Sequence, residues 1–160
     1  MDARSVPLHP DFPRLAWVVV EQPRSEAFRM AFDPATGRFS RCAHGSLFHA
    51  RGFASGDYGW IGGSGTPPAP HHDVIFLTDR PAACGEIRLG HVCGVFLRQD
   101  GDHKFVAVDD ELRRNMRTAD LACLSDEQLQ ALRRLYPRVD EGEGWFGADA
   151  AHARLLAPPH

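Results

Sequence analysis

Apolar and polar positions along this chain fall into two regimes. Up to about residue 108 the apolar runs are short and rich in β-branched and aromatic residues, which predicts strands. Leu15-Ala16-Trp17-Val18-Val19-Val20 ends in Glu21 and is closed by Gln22-Pro23, predicting a strand over 15–21. Residues 27–33 alternate loosely, Asp33-Pro34-Ala35-Thr36-Gly37 is a hairpin-type turn, and Arg38 begins the return strand. Residues 43–57 are rich in small side chains and carry no clear period. Tyr58-Gly59-Trp60-Ile61 predicts a short strand edge, 73–79 a buried strand, and 86–89 and 92–98 two more, with Gly90 and Gly94 as bend points. Asp100-Gly101-Asp102 is a tight turn leading into a strand over 104–108.

After that the period lengthens. Ser125 with Gln128 three residues on forms a capping box, and Leu124 with Leu129 is placed as a hydrophobic staple. Leu129, Ala131, Leu132 and Leu135 mark one helical face, and Pro137 stops the helix. A second helix is predicted over 147–157 with Ala150, Ala153 and Leu156 inward. Strands first and helices last predict an α+β fold, mainly β, as one domain over residues 1–160. Glycines at strand ends favour a closed, curled sheet covered by the C-terminal helices over a flat one.

Composition narrows the function. The chain is 43% hydrophobic and 24% charged, which suits a globular protein, and its net charge of −3 speaks against nucleic acid as a partner. No apolar run approaches a membrane span, and no signal-like segment is seen. Cys42, Cys84, Cys93 and Cys123 form no C-x-x-C pair, so free thiols and a cytoplasmic location are expected.

Two segments carry candidate chemistry. Asp100 and Asp102 flank Gly101, where two carboxylates on one loop can face a single hard cation, and Lys104 follows one strand step beyond Asp102 on the same face. The same three residues are also ordinary turn chemistry. His71-His72-Asp73 closes a proline-rich loop, and one histidine with Asp73 could ligate a transition metal, or the loop could simply be polar and exposed. Neighbouring strand residues point to opposite faces, so the two histidines should not serve one ion together. The histidines at 9, 44, 49, 91, 103, 152 and 160 show no metal-binding spacing, and there is neither a G-x-S-x-G nucleophile motif nor a P-loop.

Read in order, these segments resemble the soluble family I inorganic pyrophosphatases. "WVVVEQP" resembles that family's first strand with its closing acid, and "FDPATGRF" its hairpin turn. "DYGWI" is similar to D-Y-G-F-I, and "DVIFLTDRPAACGEIRLGHVCGVF" follows the family pattern nearly position by position. "DGDHKFVAV" resembles D-x-x-G-x-D-x-K-x-x-A-V with a shorter loop, and "EGW" recurs near the C-terminus. The resemblance implies a five-stranded OB-like closed barrel with C-terminal helices, commonly a homo-hexamer. It also implies carboxylates that hold magnesium ions, which neutralise a diphosphate and activate water.

Carried over residue by residue, the resemblance assigns Asp73, Lys104 and Tyr58 to catalysis. Arg29, Arg41, Lys104 and Tyr136 would bind a small phosphorylated or anionic molecule. Glu21, Asp73, Asp100 and Asp102 would be metal ligands, with His71 or His72 as substitutes shifting the choice from Mg2+ toward Mn2+ or Zn2+. The family's D-x-D-P-x-D loop, however, reads Pro68-Ala69-Pro70-His71-His72-Asp73 here, and Ala31 replaces a further acid. Arg29 stands where the family has lysine, and Pro137 where a lysine follows Tyr136. Losing one positioned electrostatic partner costs ~10²–10³ in rate. The expectation is therefore a divergent pyrophosphatase-like protein whose magnesium-dependent hydrolysis is weak or absent, with a repurposed reaction or a non-catalytic anion-binding or assembly role as the alternatives.

Overall fold

The structure, a computed structural model, describes residues 1–158; His160 lies outside them. Eight strands form in chain order: β1 (Leu15–Gln22), β2 (Phe28–Asp33), β3 (Arg38–Gly45), β4 (Gly56–Ile61), β5 (Asp73–Leu77), β6 (Ile87–Leu97), β7 (Lys104–Val108) and β8 (Gly144–Gly147). Four helices accompany them: α1 (Leu47–Ala50), α2 (Asp110–Arg114), α3 (Asp126–Leu135) and α4 (Ala148–Leu156). The sheet runs β1-β4-β5-β7-β6 and closes through a β1–β6 pairing, giving a five-stranded mixed barrel. β8 is an extra strand on β6, and β2–β3 is a separate hairpin. β5 and β7 are the parallel pair, with Asp73 opposite Lys104.

Period-two alternation sorts the side chains into three apolar clusters. Val18 and Val20 of β1, Val74 and Phe76 of β5, and Phe105 and Ala107 of β7 fill the barrel interior, with Ala151 and Leu155 of α4 packed against them. Ile75, Leu77, Val106 and Val108 point outward and are covered by Leu121, Leu132 and Leu135. Val19 and Trp60, also outward, are covered by Phe32 and Phe39 of the hairpin. The Ser125–Gln128 capping box forms with both of its hydrogen bonds, and α3 ends before Pro137 as its sequence predicts.

Four expectations are corrected. The strands predicted at 86–89 and 92–98 are one strand, β6. Gly90 is there for space, since a Cβ would stand 2.9 Å from Val18 Cγ2 and 3.1 Å from Ala107 Cβ inside the barrel. The irregularity falls instead between Val92 and Gly94, where the pairing with β7 shifts register. In α4 the buried positions are Ala151 and Leu155, while Ala153 and Leu156 are exposed and Ala150 is half-buried against the barrel cluster. The helix phase is set by its start, where Asp120 Oδ1 accepts from Ala148 N at 2.7 Å. The segment without period holds α1, capped by Ser46. The "EGW" stretch becomes β8, so the strands are not all N-terminal. All four cysteines are free. No helix among the described residues is long and apolar enough to cross a membrane.

Candidate functional site

A cleft of about 540 Å³ lies on the outer face of the barrel, walled by the β2–β3 hairpin, α1 and the loop between β4 and β5. Strand register explains which side chains reach it. Asp73 and Lys104 are direct neighbours across the parallel pair and share an outward face with Ile75 and Val106. Tyr58 pairs with Ile75 and Trp60 with Asp73, so the Tyr58 side chain sits diagonal to Asp73 on that face. Glu21 falls where the β1–β4 register shifts between Val20 and Gln22, a bulge that aims it into the cleft. Gln22, buried, accepts from Met30 N at 2.8 Å and donates to Phe28 O at 3.0 Å, tying the hairpin beside the barrel.

Lys104 is the hub. Its buried Nζ donates to Asp73 Oδ2 at 2.7 Å, to Asp102 Oδ1 at 3.1 Å and to Tyr58 Oη at 3.2 Å, which uses all three of its protons. The other Asp73 oxygen, Oδ1, is 2.8 Å from His71 Nε2, while His71 Nδ1 is 2.7 Å from the Ala69 carbonyl. Both of those partners are acceptors, so both ring nitrogens are satisfied only as donors, that is, as imidazolium. Asp73, Asp102, Lys104 and His71 then form a set of two anions and two cations with no net charge.

The protonation energetics agree in direction. Burial opposes the Asp73 charge, yet His71 and Lys104 outweigh it and hold this carboxyl well below the usual carboxylate range. Burial likewise opposes charge on Lys104 and on His71, and contact with Asp73 raises both in spite of it. Glu21 is raised by burial and then by the Asp73 charge. Tyr58 is raised far, by burial and then by Asp73, so its hydroxyl stays neutral. Burial also raises Tyr136, whose ring stacks on Phe96 at 5.2 Å.

Of the residues predicted for the site, Glu21, Arg29, Tyr58, His71, Asp73, Asp102, Lys104 and Tyr136 line this one cleft. Three do not. Arg41 is exposed on β3, where its guanidinium pairs with Glu26 at 3.0 Å and lies over the Phe28 ring. Asp100 stays on the turn, accepting from Asp102 N at 2.9 Å and facing Arg98 at 3.5 Å. His72 points to the opposite side from His71, edge-on to Phe105, and burial followed by the His71 charge lowers its pKa. The alternation of adjacent residues accounts for that split.

Sequence reasoning missed Arg98 and His44, which also line the cleft. Arg98 follows β6, lies over the Tyr136 ring at 5.9 Å and stands 3.7 Å from Asp102 Oδ2. The signal was present: an arginine four residues before Asp102 across a two-strand turn.

The metal-ligand expectation meets a direct obstacle. Both Asp73 oxygens and Asp102 Oδ1 already accept from cationic nitrogens of the chain itself. Among the described residues no group of three or more His, Cys, Asp or Glu side chains is placed to hold a metal ion. In this arrangement the acids of the Asp73–Asp102 pair are met by cations of the chain itself.

Neither the protein-family models nor the curated proteins give a match to this chain. Solved structures do. The inorganic pyrophosphatase from Thermus thermophilus superposes with a TM-score of 0.71 at 21% identity, covering 97% of this chain and 95% of its own. That from Neisseria gonorrhoeae gives 0.72 at 22% identity over 96% and 95%, and that from Ehrlichia chaffeensis 0.73 at 18% over 95% and 97%. The resemblance read from the sequence is thus borne out at the level of the fold: this chain has the closed barrel of the family I inorganic pyrophosphatases.

Proposed function

We propose that this chain, built on the pyrophosphatase barrel, binds a small phosphorylated anion in the cleft, and that its magnesium-dependent hydrolysis of inorganic diphosphate is weak or absent. One observation carries the reading: Lys104 and His71 occupy both oxygens of Asp73. An aspartate held this way is a poor ligand and a poor base. Its pairing charges come from the chain, so it has no need of an added cation.

The anion-binding half of the reading rests on the arginines. Arg29 is exposed at the cleft and makes no side-chain hydrogen bond or ion pair among the described residues. Arg98 lies over the Tyr136 ring and makes only long ion-pair contacts, 3.5 Å to Asp100 and 3.7 Å to Asp102, both exposed. Two such forks are suited to phosphate oxygens, which they can grip bidentately. His44 at the rim adds a further donor. The neutral Tyr58 hydroxyl, fixed by Lys104, lies at the cleft floor. We take the protein as cytoplasmic, in line with its free thiols, and as a homo-oligomer, as the resemblance implies; sedimentation would measure the assembly.

Titration calorimetry with diphosphate, in EDTA and in excess magnesium, tests the reading. The expected result is binding that EDTA does not diminish and that fades with rising salt. Binding seen only with magnesium would overturn it.

A further inference from the structure

The cleft holds more than charge. Met30 and Ala31 on β2, Leu47 and Phe48 on α1, and Pro68 on the loop between β4 and β5 all line it. Met30 and Leu47 belong to none of the three apolar clusters of the described residues, and Leu47 is 47% exposed. Phe48 is anchored from behind, with its ring 4.6 Å from Tyr58 and 6.1 Å from Phe53. A fixed aromatic ring beside two apolar side chains outside the core forms an apolar surface next to Arg29 and Arg98.

Size points the same way. At about 540 Å³ the cleft falls within the ~300–1,000 Å³ that encloses a drug-sized organic ligand, and it exceeds a diphosphate group several times over. An inorganic anion would meet the arginines and leave the apolar surface wet.

We propose that the ligand of this cleft is a phosphate ester carrying an apolar group, whose phosphate meets Arg29 and Arg98 while the apolar group packs on Met30, Leu47 and Phe48. This rests on the anion-binding reading above and adds the organic half of the ligand. The charge complementarity fixes the phosphate end, and apolar side chains with no core partner fix the other.

The test compares phenyl phosphate, inorganic phosphate and inorganic diphosphate by calorimetry at about pH 8, where phenyl phosphate and inorganic phosphate are both mainly dianions. Phenyl phosphate is expected to bind about tenfold or more tightly than inorganic phosphate, and more tightly than diphosphate. In Leu47→Gln, and independently in Met30→Gln, the preference for phenyl phosphate over inorganic phosphate should fall severalfold. Leu47 is exposed, so the folded state should persist, and a thermal melt checks it. Inorganic diphosphate binding as tightly as phenyl phosphate would overturn the organic ligand while leaving the anion reading intact. A preference that neither substitution changes would overturn the placement on this surface. No binding of any of the three would overturn both readings.

Discussion

Two ion-pair networks stand on neighbouring residues of β4 and face opposite ways. Asp57 looks to one side, where it accepts from Arg24 N at 2.7 Å, from the Arg24 guanidinium and from Ala82 N at 3.1 Å. The same guanidinium also bonds Thr78. Tyr58 looks to the other, into the set of Asp73, Asp102, Lys104 and His71. The Asp57 side chain is 0% exposed and its network is one anion against one cation, so it fastens the loop after β5 to the end of β1. The Asp73 side chain is 15% exposed and its network opens on a cleft lined also by Glu21, Arg29 and Arg98. The same interaction chemistry makes a structural clamp where it is sealed and balanced one to one. It makes a candidate site where it is crowded and reached by water.

The largest expected effect is on the sealed side. Asp57→Ala should cost about 3–5 kcal/mol in urea unfolding, because it leaves the Arg24 charge buried and unpaired. A cost near zero would erase the distinction. Lys104→Met should cost less, about 2–3 kcal/mol, since Asp73 keeps His71 and water from the cleft. In that variant Asp73 Oδ2 is released, so manganese should raise the melting temperature of Lys104→Met and leave the parent unmoved.

The fold was largely legible and the site only half so, for reasons visible in particular residues. Val18, Val20, Val74 and Phe76 alternate in sequence as they do in the barrel, because a closed sheet with a dry interior imposes period two. Gly90 misled because a glycine needed for space reads like one needed for a bend. β8 escaped notice since four residues are too few to show a period. At the site, Asp73 and Lys104 could be named, yet their parallel register could not, since only topology brings residues from two distant segments side by side. Arg41 was assigned by position in a motif, and its pairing with Glu26 depends on where the hairpin lies. His71 looked like a spare ligand. The structure aims it at Asp73 instead, where a proton on the ring does the neutralising.

Smaller effects sharpen the cleft side. Arg29→Ala should weaken phosphate or diphosphate binding about tenfold, the worth of a charge-assisted hydrogen bond, with stability changed by no more than ~0.5 kcal/mol. His71→Asn should show its cost through pH. The His71 pKa is raised on folding, so its contribution is complete below its ordinary value of about 6.5 and is lost as pH rises through the higher folded value. The stability gap between parent and His71→Asn should therefore close from about pH 6 toward alkaline pH; a gap independent of pH would mean that the imidazolium is not what Asp73 holds. Smallest is Glu21→Gln. Burial and the Asp73 charge raise the pKa of this acid, so ionising it opposes folding and the neutral amide relieves that at neutral pH. A melting temperature higher by on the order of 2 °C at about pH 7 is expected, with the gain vanishing at about pH 4 and below, where Glu21 itself is protonated.

Phosphate release from inorganic diphosphate in excess magnesium, measured beside the Thermus thermophilus pyrophosphatase under the same conditions, tests most directly whether Lys104 and His71 have taken over the charge that cations would otherwise supply. The account predicts a rate lower by at least ~10²–10³, the loss expected when positioned electrostatic partners are gone. A rate equal to that of the Thermus thermophilus protein would contradict it.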